Sequence, residues 1–153
     1  VKKQDFMNLK SKLFGVVAFL LMCLGSKAIA QTGKIVVAVN NLRNTNGKVL
    51  AALYKSEKDF TKDEKSAVAT AQVSLSGKQA QIVFEVPYGE YAFLLLHDEN
   101  GNGKMDTNML GIPKEGYAAS NNAKNALGAP KYADAKFVLD KPEIKQQIQM
   151  IYW

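Results

Sequence analysis

The sequence has little of what most often carries chemistry: one cysteine and one histidine occur among its 153 residues. Cys23 has no partner, so no intrachain disulfide is available and stability has to come from packing. His97 could serve a zinc site only if carboxylates supplied every other protein ligand, which is the rarer pattern. No apolar run reaches the ~20 residues that a membrane-spanning helix needs. There is also no basic stripe with interleaved aromatics, which argues against nucleic acid as a partner.

What is present begins with a leader. Lysines at 2, 3, 10 and 12 precede the apolar run Leu13–Leu24, and Gly25-Ser26-Lys27-Ala28-Ile29-Ala30 follows. This order is that of a secretory signal peptide, with Ala28 and Ala30 as the small residues ahead of a cut before Gln31. The run is too short for a retained anchor. A lipid attached at Cys23 is disfavoured because the large Leu21 and Met22 stand before it. The expectation is therefore a signal peptide over 1–30 and a single domain over 31–153, delivered to the periplasm or the extracellular space. Removing the leader takes five lysines and one aspartate, so the net charge falls from +6 to +2. A chain of this size can bury one substantial core.

Downstream, alternation of period two dominates. Ile35, Val37 and Val39 alternate with Val36 and Ala38, and Val49, Ala51 and Leu53 with Leu50, Ala52 and Tyr54. The Asn46-Gly47 step between them predicts a hairpin-like pair. Val68–Leu75 and Gln79–Val86, separated by Ser76-Gly77-Lys78, predict a second hairpin. Residues 57–66 read as loop or a short helical turn around Phe60. Tyr91–His97 is apolar on both faces, the mark of a central strand covered on both sides. Further strands are expected at Asp134–Leu139 and at Glu143–Tyr152, where Ile144, Ile148, Met150 and Tyr152 share a parity. The fold class is all-β: a single Greek-key-like β-sandwich of about seven strands, with a long irregular loop after the central strand. The aromatic terminus Tyr152-Trp153 also fits an outer-membrane barrel, but an odd strand count and a thirty-residue irregular segment do not.

The most specific local pattern is His97-Asp98-Glu99-Asn100-Gly101-Asn102-Gly103-Lys104-Met105-Asp106. Asp98, Asn100 and Asn102 occupy positions 1, 3 and 5 of a calcium loop, with Gly103 at 6, the Lys104 carbonyl at 7 and Asp106 at 9. Alternate side-chain oxygens turn inward in such a loop while the glycine permits the sharp bend. Met109 stands at position 12 where a bidentate glutamate belongs, and a strand rather than a helix precedes the loop, so this is not an EF-hand. The place of the missing carboxylate falls to Glu115, to Glu99 folding back, or to water. With asparagine at two ligand positions, the expected Ca²⁺ affinity is weak, ~10⁻⁴–10⁻³ M. Asx-turns alone would account for the same residues with no ion.

Two other constellations complete the reading. His97 shares the parity of Tyr91, Phe93 and Leu95, which predicts a satisfied imidazole at the edge of the core. A hydrolase built on His97 with Asp98 or Ser120 meets the objection that neighbours on a strand point to opposite faces. The segment 111–122, with Ile112 and Tyr117 as apolar anchors and Ser120-Asn121-Asn122 at its end, is long for so small a domain. It reads either as an ordered connection or as a site for a small ligand, a glycan or another cell-envelope partner.

Taken together, HDENGNGKMD, GIPKEGY, SNNA and the strand entry Pro130-Lys131-Tyr132-Ala133-Asp134-Ala135 resemble a group of small exported bacterial proteins, the domain-of-unknown-function family 2141. The resemblance runs from Gly47-Lys48-Val49 to Ile151-Tyr152. It implies an exported β-sandwich and assigns no activity. The leading expectation is thus a non-enzymatic binding or structural module with a Ca²⁺-type loop formed by Asp98, Asn100, Asn102, Lys104, Asp106 and Glu115.

Overall fold

In a strand, successive side chains face opposite ways, so an alternating sequence buries one face and solvates the other. The computed structural model describes residues 30–61, 64–125 and 128–153, and the leader lies outside them. Gln31–Trp153 forms one unit. It contains β1 (Thr32–Asn40), β2 (Lys48–Tyr54), β3 (Ala69–Ser74), β4 (Ala80–Pro87), β5 (Gly89–Asp98), β6 (Gly116–Ala119), β7 (Phe137–Leu139) and β8 (Glu143–Gln149). Helical structure among the described residues is confined to single turns, of which α1 (Tyr132–Ala135) is the longest.

The strands form two sheets, one ordered β4-β1-β8 and the other β3-β2-β5-β6 with β7 also paired to β5. The β-sandwich expected from the alternation is what the chain forms, with eight strands in place of about seven. From one sheet, Ile35, Val37, Val39, Ile82, Phe84 and Ile148 face Val49, Leu53, Tyr91, Phe93 and Leu95 of the other, all of them buried. Each such side chain contributes ~1.5–3 kcal/mol by leaving water. β1 and β8 run parallel, with Ile35 opposite Ile144 and Val39 opposite Ile148, so the last strand closes on the first.

Both predicted hairpins are corrected by the pairing. β1 pairs with β4 and β8, whereas β2 pairs with β3 and β5, so the Asn46-Gly47 turn carries the chain from one sheet to the other. β3 and β4 likewise lie in different sheets, and the turn between them is closed by the Ser76–Gln79 bridge. Turn chemistry fixes where the chain turns and not the sheet in which the next strand lands. The strand expected over Asp134–Leu139 begins instead as α1, which buries Tyr132 and Ala135, and becomes extended only at Phe137.

The outer faces of the two sheets differ. On the first, Lys34, Gln81, Glu85, Lys145 and Gln147 alternate with the core residues, giving a largely polar face. On the second, the outward rows are apolar: Leu50, Leu96 and Tyr117 stand side by side, as do Ala52, Leu94 and Ala119. One end of this face is covered by a second cluster of Tyr54, Phe60, Ala92, Ala119, Tyr132 and Ala135, in which Phe60 meets Tyr54 and Tyr132 edge-on. β5 is therefore central as expected, but covered on both sides only at that end: Leu94 and Leu96 remain half-buried.

Two turn glycines separate backbone strain from crowding. Gly47 has φ +67°, and a Cβ there would lie 1.9 Å from the Asp98 carbonyl oxygen; Gly77 has φ +60° with open space around it. Gly77→Ala is expected to lower unfolding stability by ~1–2 kcal/mol, the left-handed penalty alone. Gly47→Ala should lower it by ~3 kcal/mol or more, because the strand end must also move. Urea unfolding of the two variants checks the difference, and equal losses would contradict it.

Candidate functional site

β5 delivers two adjacent residues to opposite faces. His97 continues the inward row and Asp98 the outward one, and both are fully buried. From Asp98 the chain turns in a tight loop whose backbone the side chains organise. Asp98 Oδ1 accepts the N–H of Asn102 at 3.0 Å and Oδ2 that of Gly103 at 2.9 Å. Asn100 Oδ1 accepts the N–H of Asn102, and Asn102 Oδ1 that of Lys104, the two-residue reach of an Asx-turn. Gly101 and Gly103 take φ +77° and +79°, which glycine adopts without steric penalty.

Asp106 closes the loop. Its carboxylate accepts the amide of Asn100 at 2.6 Å and that of Asn102 at 3.1 Å on each oxygen. Asn100, Asn102 and Asp106 therefore meet, and Asp98 grips the backbone beneath them. Neither Asp98 nor Asp106 takes part in the ion pairs found among the described residues, which are Arg43–Glu99, Lys136–Glu90 and Lys145–Glu143. Glu115 is also buried and folds back to the loop. Its Oε1 accepts the N–H of Glu99 at 2.9 Å and its Oε2 that of Asp106 at 3.1 Å, bracing both ends. Met109, at position 12, is fully exposed on a turn held by Asn108.

Glu99 turns the other way. Its side chain receives the amide of Asn44, and Arg43 Nη2 lies 2.6 Å from Oε1 as an ion pair outside hydrogen-bond alignment. Burial acts to raise the Glu99 carboxyl, but the contacts from Arg43 and Asn44 and the Arg43 charge outweigh it and hold the group below its ordinary value. Arg43 also covers the Tyr152 ring, 4.8 Å from its centroid, and donates Nη2–H to the Lys114 carbonyl at 2.7 Å.

His97 has both nitrogens occupied. Nε2 lies 2.9 Å from the Asn46 carbonyl, which can only accept, so this nitrogen carries the proton. Nδ1 then accepts from the Tyr152 hydroxyl at 2.7 Å, and that oxygen in turn accepts the Arg43 N–H at 3.2 Å. Burial, with a smaller contribution from Glu99, raises the Tyr152 hydroxyl above the usual phenol range, so it stays a donor. This is the satisfied imidazole that the strand parity predicts.

Ser120 belongs to a different network. Its Oγ accepts the N–H of Phe93 at 3.0 Å and donates to the Ala135 carbonyl at 2.6 Å. Phe93 is four residues from His97 along β5, roughly 13 Å at strand rise. His97, Asp98 and Ser120 are thus not assembled as a nucleophilic triad. Asn121 and Asn122, both at positive φ, act as clips. The Asn121 amide reaches the carbonyls of Asp134, Ala135 and Lys136, while Asn122 donates to Gln147 O and accepts Gln149 N–H, as a strand residue would along the edge of β8. Ile112 is exposed and lies outside both core clusters, whereas Tyr117 stands beside Leu96 in the apolar row.

Those rows form the floor of an open groove of about 740 Å³. Gly103, Lys104 and Met105 of the acidic loop make one lip, Gly111 and Pro113 a wall, and Pro130 and Trp153 line it as well. Sequence reading missed the groove, although the signal was present: β2 and β5 are apolar on both faces.

The fold is a β-sandwich whose fifth strand runs into a loop organised by Asp98, Asn100, Asn102, Asp106 and Glu115. The chain belongs to a bacterial family whose model, described as "Uncharacterized protein conserved in bacteria (DUF2141)", matches residues 37–147. No curated protein and no solved structure matches it.

The Glu99 contacts carry a pH dependence. A carboxyl held below its ordinary value stabilises the fold above about pH 4.3 and loses that contribution as pH falls through its folded value. Glu99→Gln should lower stability at pH 7 by ~0.5–1 kcal/mol and flatten the decline between about pH 5 and pH 3. Unfolding curves across that range read both effects, and an unchanged slope would contradict the assignment.

Proposed function

We propose that the chain works after export, in the periplasm or outside the cell, as a non-enzymatic binding module whose Asp98–Asp106 loop takes up calcium. One observation supports this reading: Asp106 is met by Asn100 and Asn102 in a loop whose backbone the buried Asp98 holds, so residues at positions 1, 3, 5 and 9 of the calcium-loop pattern belong to one hydrogen-bonded turn. Two carboxylates sit there with no cation from the described ion pairs, and among the described residues the side-chain donors to the Asp106 carboxylate are the amides of Asn100 and Asn102. An entering Ca²⁺ takes the place of those amides, which turn their oxygens inward. Asp98 keeps its hold on the backbone while its remaining lone pairs become available. Glu115, by fixing the N–H groups of Glu99 and Asp106, keeps the loop in shape and lowers the ordering cost of binding. The Lys104 carbonyl completes the pattern at position 7.

The export part of the reading is supported by the leader and its small-residue cleavage site. The hydrolase reading has no support in the geometry, since His97 is paired to Tyr152 and Asn46 and Ser120 to Phe93 and Ala135.

With a dissociation constant of ~10⁻⁴–10⁻³ M, 10 mM Ca²⁺ should stabilise the fold by ~1.5–2.5 kcal/mol, a rise in melting temperature of roughly 5–10 °C. Calorimetric titration and thermal melts with and without chelator measure this. Asp106→Asn should abolish the rise while leaving the ion-free melt within ~1 kcal/mol of the parent. No binding heat and no shift at millimolar Ca²⁺ would overturn the reading.

A further inference from the structure

The geometry points to a second binding site beside the ion loop: the groove on the outer face of the β2–β5–β6 sheet takes a single-chain amphiphile, a long-chain carboxylate, with its acyl chain along the strands and its head at Lys104. The groove is not a shallow scuff in a polar surface. Its floor is built from Leu50, Ala52, Leu94 and Leu96, which stand opposite one another in two consecutive cross-strand rows. Its volume of about 740 Å³ falls within the roughly 300–1,000 Å³ of small-molecule sites. The rows end on the β3 side at the exposed polar residues Gln72 and Thr70, so the apolar surface is a bounded strip and not a whole face.

Chemistry of the lining selects the ligand. Leu50, Ala52, Leu94 and Leu96 are aliphatic, which suits an acyl chain, while hydrogen-bonding side chains among the described lining residues are limited to Tyr54, Thr61, Lys104, Tyr117 and Trp153. Lys104 is the one charged side chain among the described lining residues, and no carboxylate accompanies it. An ammonium at the lip of an apolar strip complements an anion at the end of an apolar body. Tyr117 extends the row of Leu50 and Leu96, and Trp153, more than half exposed, lines the groove as a second aromatic. The same face is covered by protein at its other end, where Phe60 and Tyr132 pack on Ala92 and Ala119. The uncovered stretch is thus the part of a doubly apolar sheet that a ligand completes.

Trp153 is the sole tryptophan and reports on the site directly. Protein purified after expression of the full chain is titrated with hexadecanoate below its micellar concentration. A saturable change in Trp153 fluorescence at one ligand per chain, matched by calorimetry, is expected. Leu94→Asn should weaken binding by about tenfold or more, with melting temperature confirming that the variant is folded. Lys104→Gln, on an exposed loop, tests the head group without touching the floor. It should weaken hexadecanoate by roughly fivefold and leave hexadecanol unchanged. Absence of saturable binding overturns the proposal. So does equal binding of hexadecanoate by Lys104→Gln and the parent, or association only with phosphatidylglycerol vesicles, which would make the strip a membrane-contact surface.

Discussion

Everything described here hangs from one strand. β5 has an apolar side chain at every position from Tyr91 to Leu96, so it cannot lie on a solvated edge, and pairing with β2, β6 and β7 satisfies its backbone. Its inward row, Tyr91, Phe93, Leu95 and His97, fixes the core. Its outward row, Ala92, Leu94, Leu96 and Asp98, runs from a protein-covered end through the open groove to the acidic loop. The loop and the groove are consequently parts of one rigid surface, and Gly103, Lys104 and Met105 belong to both.

The acidic loop keeps its form because buried acceptors serve backbone donors that no strand can reach. Asp98 and Glu115 are carboxylates inside the protein, and each satisfies two backbone N–H groups. A buried carboxylate so used shapes the chain around itself. The asparagines at 121 and 122 do similar work at the other end, tying the segment after β6 to α1 and to the edge of β8. Side-chain amides and carboxylates here do the cross-linking that disulfides do in other small domains.

How much of this was legible beforehand follows from range. The period-two pattern showed which residues face the core, since Ile35, Val49, Phe93 and Ile148 each obey it locally. The parity of His97 likewise foretold a buried ring, though not Tyr152 as its partner 55 residues away. Calcium-loop spacing brought Asp98, Asn100, Asn102 and Asp106 together because all lie within nine residues. What the sequence could not express was which sheet a strand joins. That depends on long-range pairing, so Asn46-Gly47 and Ser76-Gly77-Lys78 were read as hairpins when they are passages between sheets. The groove escaped for a related reason: Leu50, Leu94 and Leu96 look like core in any local window, and only the assembled sheet shows that nothing described packs fully over them.

Cation uptake by the loop that follows β5 is the proposal on which the functional reading rests. It is tested most directly by backbone amide NMR during addition of Ca²⁺. The account predicts saturable shifts concentrated at Asp98–Asp106 and Glu115, spreading to neighbours of the loop and leaving the polar sheet β4-β1-β8 unmoved. Shifts scattered over exposed carboxylates such as Asp134, Asp140 and Glu143, with the Asp98–Asp106 amides unchanged, would contradict it.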